Sequence, residues 1–345
     1  MRLLVLMLCL LSGSAIGQTP LNRGINVTGW FRFPVSRDPA VLANYIGDRA
    51  LADLRTAGFD FVRLAVDPDL LDVRALLPAI RRIQRQGLTV VVSPHPRDWH
   101  LETTDPDRLL RFWNTLAPAL RGLDPARTVP EVVNEPVFPN DPAGWGRLQH
   151  RVLAEIRASL PQSLVVLTGQ DWGSVPGLLA LTPEDDPHVV YSFHFYDPAD
   201  LTSLAAYRSD VDRTALAALP FPAANDCDAR MRAPADAPTR DLIRYYCASH
   251  WDRAHVTDAI DRAAGWAQAH HVRLLAGEFG ATAQLNRSAR LAWLKTARQG
   301  FEENGISWAL WGYDDVMGLA VSRPVPLRPV LDAGVMAALG MATGM

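Results

Sequence analysis

The chain has 345 residues, of which 48% are apolar and 21% are charged, so it is long enough to bury one large hydrophobic core. Its formal net charge is −3, from 34 basic and 37 acidic side chains. This near-neutral balance provides no basic stripe for a polyanion. Nucleic acid is therefore not expected as a partner.

The first 17 residues have the pattern of a secretory signal peptide. Arg2 supplies a positive charge, nine apolar residues run from Leu3 to Leu11, and small residues lead to Gly17. An uncleaved membrane anchor is the alternative, but the apolar run is shorter than the roughly 20 residues that a membrane span needs. The sequence predicts cleavage before Gln18. It thus predicts a secreted or periplasmic mature chain, residues 18–345, with no membrane span.

Two of the three cysteines lie in the mature chain. Cys9 falls within the signal segment, which leaves Cys227 and Cys247. Export to an oxidising compartment favours a disulfide between them. A catalytic thiol is the alternative, but neither cysteine has a plausible partner motif nearby.

Short apolar runs alternate with helical patterns along the mature chain. Eight runs lack the polar alternation of a half-exposed strand, as expected when both faces of a strand are buried. These runs are 24–27, 61–66, 88–93, 129–133, 164–168, 189–193, 272–276 and 306–310. Helical patterns between them include 48–57, 73–86, 107–120, 145–159, 252–270 and 288–304.

This alternation predicts an α/β fold, a single (β/α)8 TIM barrel that forms one domain. A doubly wound open sheet is the alternative, but it would need a Gly-rich phosphate turn after an early strand, and the sequence has none. About 78 residues separate the sixth and seventh predicted strands. We expect an extended insertion there, at 198–250, held by Cys227 and Cys247. It would stand beside the barrel mouth and narrow a cleft; a surface excursion without a role in binding is the alternative.

Polar or aromatic residues end six of the predicted strands. In a parallel barrel these strand ends meet at one mouth, where active sites are built. The residues are Arg63, His95, Asn134 and Glu135, His194 and Tyr196, Glu278, and Trp311. Two facing carboxylates suit acetal cleavage, because one protonates the leaving oxygen and the other faces the positive charge that develops on the carbon. Solvated loop carboxylates and buried structural histidines are the alternative interpretations.

Together these residues make the chain resemble glycoside hydrolase family 5, the cellulase and mannanase family of retaining barrel hydrolases. The resemblance extends from Gly24-Ile25-Asn26 to Trp311. It implies that Glu135, in Asn-Glu-Pro, is the acid/base and that Glu278, in Gly-Glu-Phe-Gly, is the nucleophile. The supporting polar positions of the family fall on Arg63, His95, Asn134, His194 and Tyr196.

The resemblance also implies roles for these side chains. Arg63 and Tyr196 would hold the nucleophile ionised, Asn134 would bind the sugar 2-hydroxyl, and Trp311 would form the floor under the sugar at the cleaved bond. The charge of Glu278 is expected to raise the pKa of Glu135. Trp30 and Trp172 follow predicted strands one and five and are expected to stack on flanking sugars, with core packing as the alternative.

The expected activity is endo-cleavage of a β-linked glucan-type polysaccharide by a monomeric enzyme. This chemistry needs no cofactor, and the histidines form no metal-ligand motif. One alternative is an exo-acting β-glucosidase or β-mannanase that trims oligosaccharides. Another is a barrel that binds polysaccharide without cutting it, in the assembly of an extracellular polymer. The intact Glu135 and Glu278 pair argues against this second alternative.

Overall fold

The computed structural model describes residues 19–223, 227, 236–320 and 329–342. The predicted signal peptide at 1–17, including Cys9, lies outside the described residues. Part of the predicted insertion also lies outside them. In the described part of the chain, no helix is both long enough and apolar enough to cross a membrane.

Eight parallel strands of the described chain form one sheet, in the order β4-β3-β2-β1-β8-β7-β6-β5. A parallel bridge between Glu131 and Val166 brings the two end strands together, so the sheet is a nearly closed barrel. The predicted barrel fold is confirmed. The strands are β1 (Arg23–Phe31), β2 (Phe61–Val66), β3 (Thr89–Pro94), β4 (Thr128–Pro130), β5 (Val165–Thr168), β6 (Val189–Phe195), β7 (Leu274–Phe279) and β8 (Ser307–Leu310).

Helices of the described residues lie between the strands and cover the barrel. Aspartate caps begin several of them; the Asp72 carboxylate, for example, accepts a hydrogen bond from the Arg74 N–H. The helices are α1 (Pro39–Ala43), α2 (Asp48–Ala57), α3 (Val73–Arg85), α4 (Pro106–Leu120), α5 (Pro142–Ser159), α6 (Val175–Leu179), α7 (Ala199–Thr202), α8 (Arg213–Leu216), α9 (Ala237–Ala248), α10 (Arg253–His270), α11 (Arg287–Glu303) and α12 (Ala333–Ala338).

An apolar layer fills the interior of the barrel beneath its mouth. Phe61 of β2 lies in this layer, with side chains from other strands including Val91, Val129 and Leu275. Gly24 leaves room for the Phe61 ring, which a Cβ at residue 24 would overlap. Side chains alternate along a strand, so Arg63 is the next inward residue of β2 after Phe61. The polar residues of the mouth therefore lie directly above an apolar layer.

Residues 196–273 connect β6 to β7 and include α7, α8, α9 and α10. The predicted disulfide between Cys227 and Cys247 is present and joins residue 227 to α9. Thr282 N–H donates to the Thr202 carbonyl at 2.8 Å, so the segment packs against the loop after β7, at the mouth end of the barrel. Its effect on the width of the cleft stays a prediction, because residues 224–226 and 228–235 are outside the described part.

Asp332 joins α12 to α11. Its carboxylate accepts hydrogen bonds from the N–H groups of Gly334 and Val335, at 2.9 and 3.0 Å, and thereby caps α12. Two guanidinium nitrogens of Arg287 donate to the same carboxylate at 2.9 and 2.8 Å. The Arg287 hydrogen bond outweighs the effect of burial and lowers the pKa of Asp332 to about 2.

We expect Asp332→Asn to lower the free energy of unfolding near neutral pH by about 1–2 kcal/mol, because the amide loses the charged hydrogen bonds. A carboxylate with a lowered pKa stabilises the fold above its ordinary pKa near 4, and this contribution is lost as the pH falls towards 2. The difference between native and variant in urea unfolding should therefore shrink between about pH 5 and about pH 3.

Asp72→Asn is the matched control, since Asp72 also caps a helix and pairs with an arginine, Arg74, but both side chains are solvent-exposed. Exposed pairs contribute little, so a smaller difference is expected. A stability difference for Asp332→Asn that is constant across this pH range would contradict the prediction.

Candidate active site

Arg63 is the centre of the polar layer at the barrel mouth. The side chain is fully buried, and its Nε and Nη2 donate to the two carboxylate oxygens of Glu131, each at 2.7 Å. Nη1 donates to Glu278 at 2.6 Å and to Asn26 at 2.9 Å. Nη2 also donates to Asn134 at 2.8 Å. One guanidinium thus fixes four side chains, which come from β1, from β7 and from the segment that follows β4.

Glu131 and Asn26 were not predicted as site residues. Glu131 lies within the fourth predicted strand and is fully buried. An ionised carboxylate is costly to bury without a partner. An acidic residue inside an apolar run therefore indicates a buried ion pair, and this signal could have identified Glu131. The bidentate pair with Arg63 supplies that partner. Asn26 donates to the Gly277 carbonyl at 3.1 Å and so ties β1 to β7 just before the nucleophile position.

Glu278 is buried at the mouth end of β7. Its Oε1 accepts from Arg63, and its Oε2 accepts from the Tyr196 hydroxyl at 2.9 Å. His194 Nδ1 lies 3.5 Å from Oε2. Burial raises the pKa of Glu278 above its ordinary value, and the Glu135 charge adds to this, against the opposing charges of His194 and Arg63. The hydrogen bonds leave the carboxylate aimed into the mouth.

Glu135 follows β4 with a left-handed backbone, φ 44°, which is uncommon for a side chain with a Cβ and is typical of functional sites. Its Oε1 lies 2.9 Å from His194 Nδ1, and Asn134 donates to its Oε2 at 3.3 Å. Burial raises the pKa of Glu135, but the hydrogen bond and charge of His194, with the charges of Arg63 and Arg32, outweigh it. The pKa therefore lies below its ordinary value.

This direction is opposite to the expectation that the charge of Glu278 raises the pKa of Glu135. The reason is His194, which lies within reach of both carboxylates. Burial lowers the pKa of His194, but the charges of Glu278 and Glu135 outweigh burial and raise it. The three groups therefore share their protons as one coupled set.

One oxygen of Glu135, one oxygen of Glu278 and a ring nitrogen of His194 all lie within 4.8 Å of one another. Such a group could also hold a metal ion by distance alone. However, the oxygens of Glu278 already accept from Arg63 and Tyr196, and Glu135 contacts His194 and Asn134. This pattern favours two carboxylates that are held by hydrogen bonds from neighbouring side chains over a metal site.

His95 and Trp311 form the side of the mouth next to β1. His95 is buried with its Nε2 3.1 Å from Ser93 Oγ, and its ring centroid lies 5.9 Å from that of Trp311. Burial, together with the charge of Arg32, lowers the pKa of His95 well below its ordinary value, which favours the neutral imidazole. Trp311 is half-buried and follows β8, which leaves a ring surface available beside the carboxylates.

The predicted binding tryptophans have different environments. Trp172 is 61% exposed after β5, and its backbone N–H donates to the Pro136 carbonyl at 3.3 Å, next to Glu135. Trp30 is fully buried and donates through Nε1 to the Leu42 carbonyl at 2.8 Å. The prediction of Trp30 as a sugar platform is wrong. β1 continues to Phe31, so Trp30 lies inside the strand and packs in the core.

A parallel barrel with two carboxylates at its mouth is an architecture that O-glycoside hydrolases use. The chain belongs to the cellulase family, glycosyl hydrolase family 5, whose family model matches residues 22–316. The chain is accordingly an O-glycoside hydrolase, and the resemblance seen in the sequence is confirmed.

Two curated relatives are both endoglucanases from Acetivibrio thermocellus. Endoglucanase C is 23% identical over 316 residues, which cover 84% of this chain and 90% of the relative. Endoglucanase H is 21% identical over 273 residues, which cover 75% of this chain. The matched region spans only 26% of the length of endoglucanase H.

Solved structures show the same fold. Endoglucanase Cel5A from Thermotoga maritima superposes with a TM-score of 0.75 at 19% identity and covers 93% of this chain and 98% of its own. The cellulose synthase subunit Z from Clostridioides difficile superposes with a TM-score of 0.74 at 20% identity and covers 92% of this chain and 99% of its own.

Glu131→Gln is expected to lower kcat/KM by about a hundredfold, since it removes one hydrogen-bonded anchor of Arg63. It also removes a negative charge, so the site around Glu278 becomes more positive and the pKa of Glu278 falls. The acid limb of the pH dependence of kcat/KM should therefore move to lower pH. Glu302→Gln, which breaks a glutamate–arginine pair with Arg298 outside the mouth, is the control.

A loss of activity without movement of the acid limb, in a variant whose circular dichroism is unchanged, would show that Glu131 has only a structural role. An effect of equal size in Glu302→Gln would also contradict the prediction.

Proposed function

We propose that the protein is an exported, retaining endo-β-glucanase that cleaves a β-linked glucan by double displacement. The observation on which this depends is the short separation between Glu135 and Glu278, which have one oxygen each within 4.8 Å. Retaining enzymes hold their carboxyl groups about 5–5.5 Å apart, whereas inverting enzymes keep about 6.5–9.5 Å to admit a water molecule. The separation therefore supports retention.

Glu278 is the proposed nucleophile. Its carboxylate would attack the anomeric carbon to form a glycosyl ester, and the bond from that carbon to the leaving oxygen would break. Arg63 and Tyr196 each hold one of its oxygens, at 2.6 and 2.9 Å, and so orient the attack. The fixed orientation removes rotational freedom that the reaction would otherwise have to lose.

Glu135 is the proposed acid/base. As a carboxylic acid it would protonate the departing oxygen, and as a carboxylate it would take a proton from the water that releases the glycosyl ester. In the free site its carboxylate contacts His194, whose pKa is raised. The proton for the leaving group would therefore come from the coupled Glu135–His194 pair. Formation of the ester removes the charge of Glu278 and leaves this pair as the base.

A glucan is the proposed substrate because both curated relatives described above are endoglucanases. Trp311 would form the floor under the sugar at the cleaved bond, where the ring is half-buried beside the carboxylates. Trp172 is exposed next to Glu135 and would stack on the sugar on the leaving-group side. Asn134 would bind the 2-hydroxyl, since its Oδ1 is already fixed by Arg63. The enzyme is proposed to act as a monomer.

A second candidate is a role in polymer assembly, favoured by the fold shared with a cellulose synthase subunit. In its non-catalytic form this candidate gives no reason to keep Glu135 and Glu278 in contact with one histidine. A third candidate, exo-cleavage of oligosaccharides, is favoured by the segment after β6, which packs at the mouth end of the barrel. Exo-cleavage would release short sugars, and the non-catalytic assembly role would release none, so both can be distinguished from endo-cleavage.

The test is reducing-sugar release from soluble β-1,4, β-1,3 and mixed-linkage glucans and from mannan. We expect release from at least one glucan, with an early fall in viscosity, and a loss of at least about a thousandfold in Glu278→Ala. The first product seen by NMR should be the β-anomer, because double displacement retains configuration. Asp69→Ala, which removes a carboxylate that pairs with Arg108 on the surface, is the control.

Each alternative gives a different result. An α-anomer as first product would contradict retention. Release of short sugars without a fall in viscosity would favour exo-cleavage, and binding without release by the native protein would favour the assembly role.

Export is proposed from the signal-peptide pattern of residues 1–17, and the disulfide between Cys227 and Cys247 supports it. In a bacterial host, N-terminal sequencing of the protein from the periplasm or medium should begin at Gln18, with no thiol available to alkylation. A cytoplasmic protein that keeps Met1 and has both thiols reactive would contradict export.

A further inference from the structure

Arg32 is a cation at the barrel mouth to which the proposed mechanism assigns no chemical step, although its charge helps to lower the pKa of Glu135. It directly follows β1, so its backbone lies at the mouth end of that strand. Its guanidinium carbon lies 4.8 Å from the ring centroid of Phe33 and 5.6 Å from that of Trp311. Cation–π contacts of this kind hold the planar guanidinium against the sugar platform.

Neighbouring arginines have carboxylate partners. Arg63 is neutralised by Glu131 and Glu278. The guanidinium carbon of Arg97 lies 5.2 Å from the Phe33 ring centroid, and Arg97 pairs with the Asp67 carboxylate at 2.9 Å. It also donates to the Arg32 carbonyl at 3.1 Å, which fixes the backbone.

Arg32 differs from both, because no carboxylate oxygen of the described residues lies within 4.0 Å of its guanidinium. Its Nε–H is buried and has no hydrogen-bond partner within the described part of the chain. Burial lowers the pKa of Arg32, against the charges of Glu278 and Glu135. A buried donor without a partner destabilises the fold, and more so when it is charged, so its presence at a cleft needs an explanation.

An acceptor on the substrate would supply the missing charge partner through the terminal Nη groups of Arg32, since the Nε–H is buried. A guanidinium presents two parallel N–H groups that match the two oxygens of a carboxylate, and such charged bidentate contacts are about twice as strong as neutral ones. A sugar hydroxyl offers one neutral oxygen and would leave part of this fork unused. The position of Arg32 against Trp311 places the contact at the platform for the sugar.

We propose that Arg32 is a specificity-determining residue, which binds a carboxylate on a sugar next to the Trp311 platform, so that the preferred substrate is an acidic β-linked glucan. The inference rests on the proposed function and refines its substrate class. The carboxylate would come from a hexuronate residue or from an acidic substituent on a neutral sugar. Phe33, which is 48% exposed, would form the rim of this subsite together with Arg97.

The test uses the glucan backbone that the panel identifies, in carboxymethylated and hydroxyethylated forms of matched substitution. We expect the native enzyme to have a kcat/KM at least about tenfold higher on the carboxymethylated polymer, and Arg32→Gln to abolish this ratio. High salt should reduce the native ratio. A glucuronate-containing oligosaccharide of the same linkage distinguishes a hexuronate from an acidic substituent, and a preference for either form supports the inference.

Arg108→Gln is the matched control. Arg108 also lies over an aromatic ring, 4.6 Å from the centroid of Trp99, but it pairs with the Asp69 carboxylate at 2.7 Å. Its variant should keep the native preference for the carboxymethylated polymer.

Several results would overturn the inference while the proposed function stands. One is a native enzyme that cuts the neutral polymer as well as the acidic one. Another is an Arg32→Gln variant that loses activity equally on both and shifts its pH profile, since Arg32 would then serve the catalytic carboxylates. If no polymer is cut, the proposed function fails, but the inference can still be tested by binding. Calorimetry would measure the affinity of the two polymers for Glu278→Ala, with and without Arg32→Gln. Equal affinity for the acidic and the neutral polymer overturns the inference.

Discussion

The buried guanidinium of Arg63 is the interaction on which the geometry of the mouth depends. It binds Glu131 and Asn134 from the segment after β4, Asn26 of β1 and Glu278 of β7. A buried cation of this kind is stable only when its charge is neutralised and its donors are paired. Glu131 supplies most of the neutralisation from within the barrel, so Glu278 can be held by the same cation and still face the substrate. Because Glu131 holds Arg63 in place, Glu278 is free to serve as the proposed nucleophile.

His194 links this fixed layer to the proton chemistry. It lies 2.9 Å from Glu135 and 3.5 Å from Glu278, so the ionisation of each carboxylate depends on the state of the imidazole. Arg63 sets the position of the nucleophile, and His194 sets the distribution of protons between the two carboxylates. Arg32 adds a positive charge beside Trp311. The mouth thus contains three kinds of charged group. The charge of Arg63 is neutralised, His194, Glu135 and Glu278 share protons, and Arg32 has no carboxylate partner among the described residues.

The barrel was predictable because buried parallel strands appear as uninterrupted apolar runs, and each run corresponds to an observed strand. The polar residues at strand ends were predictable for the same reason, since barrel topology brings these ends together. Contacts between strands were not predictable: the Arg63–Glu131 pair joins residues 68 positions apart, and no local pattern encodes it. Trp30 was misassigned because the apolar run was taken to end at Val27, whereas β1 continues through a register shift to Phe31. The direction of the Glu135 pKa depends on distances to His194, which a sequence does not contain.

The apolar floor under the mouth also isolates the catalytic protons. Phe61 and the side chains around it fill the barrel beneath Arg63, and Gly24 allows the ring to close the gap beside β1. Because this layer of the described residues is apolar, His194, Glu135 and Glu278 would exchange protons with bulk water through the mouth. A polymer lying across Trp311 would close that exit. During one catalytic cycle His194, Glu135 and Glu278 would then exchange no protons with bulk water. The proton given to the leaving sugar would be replaced only by a proton from the water that enters as that sugar departs.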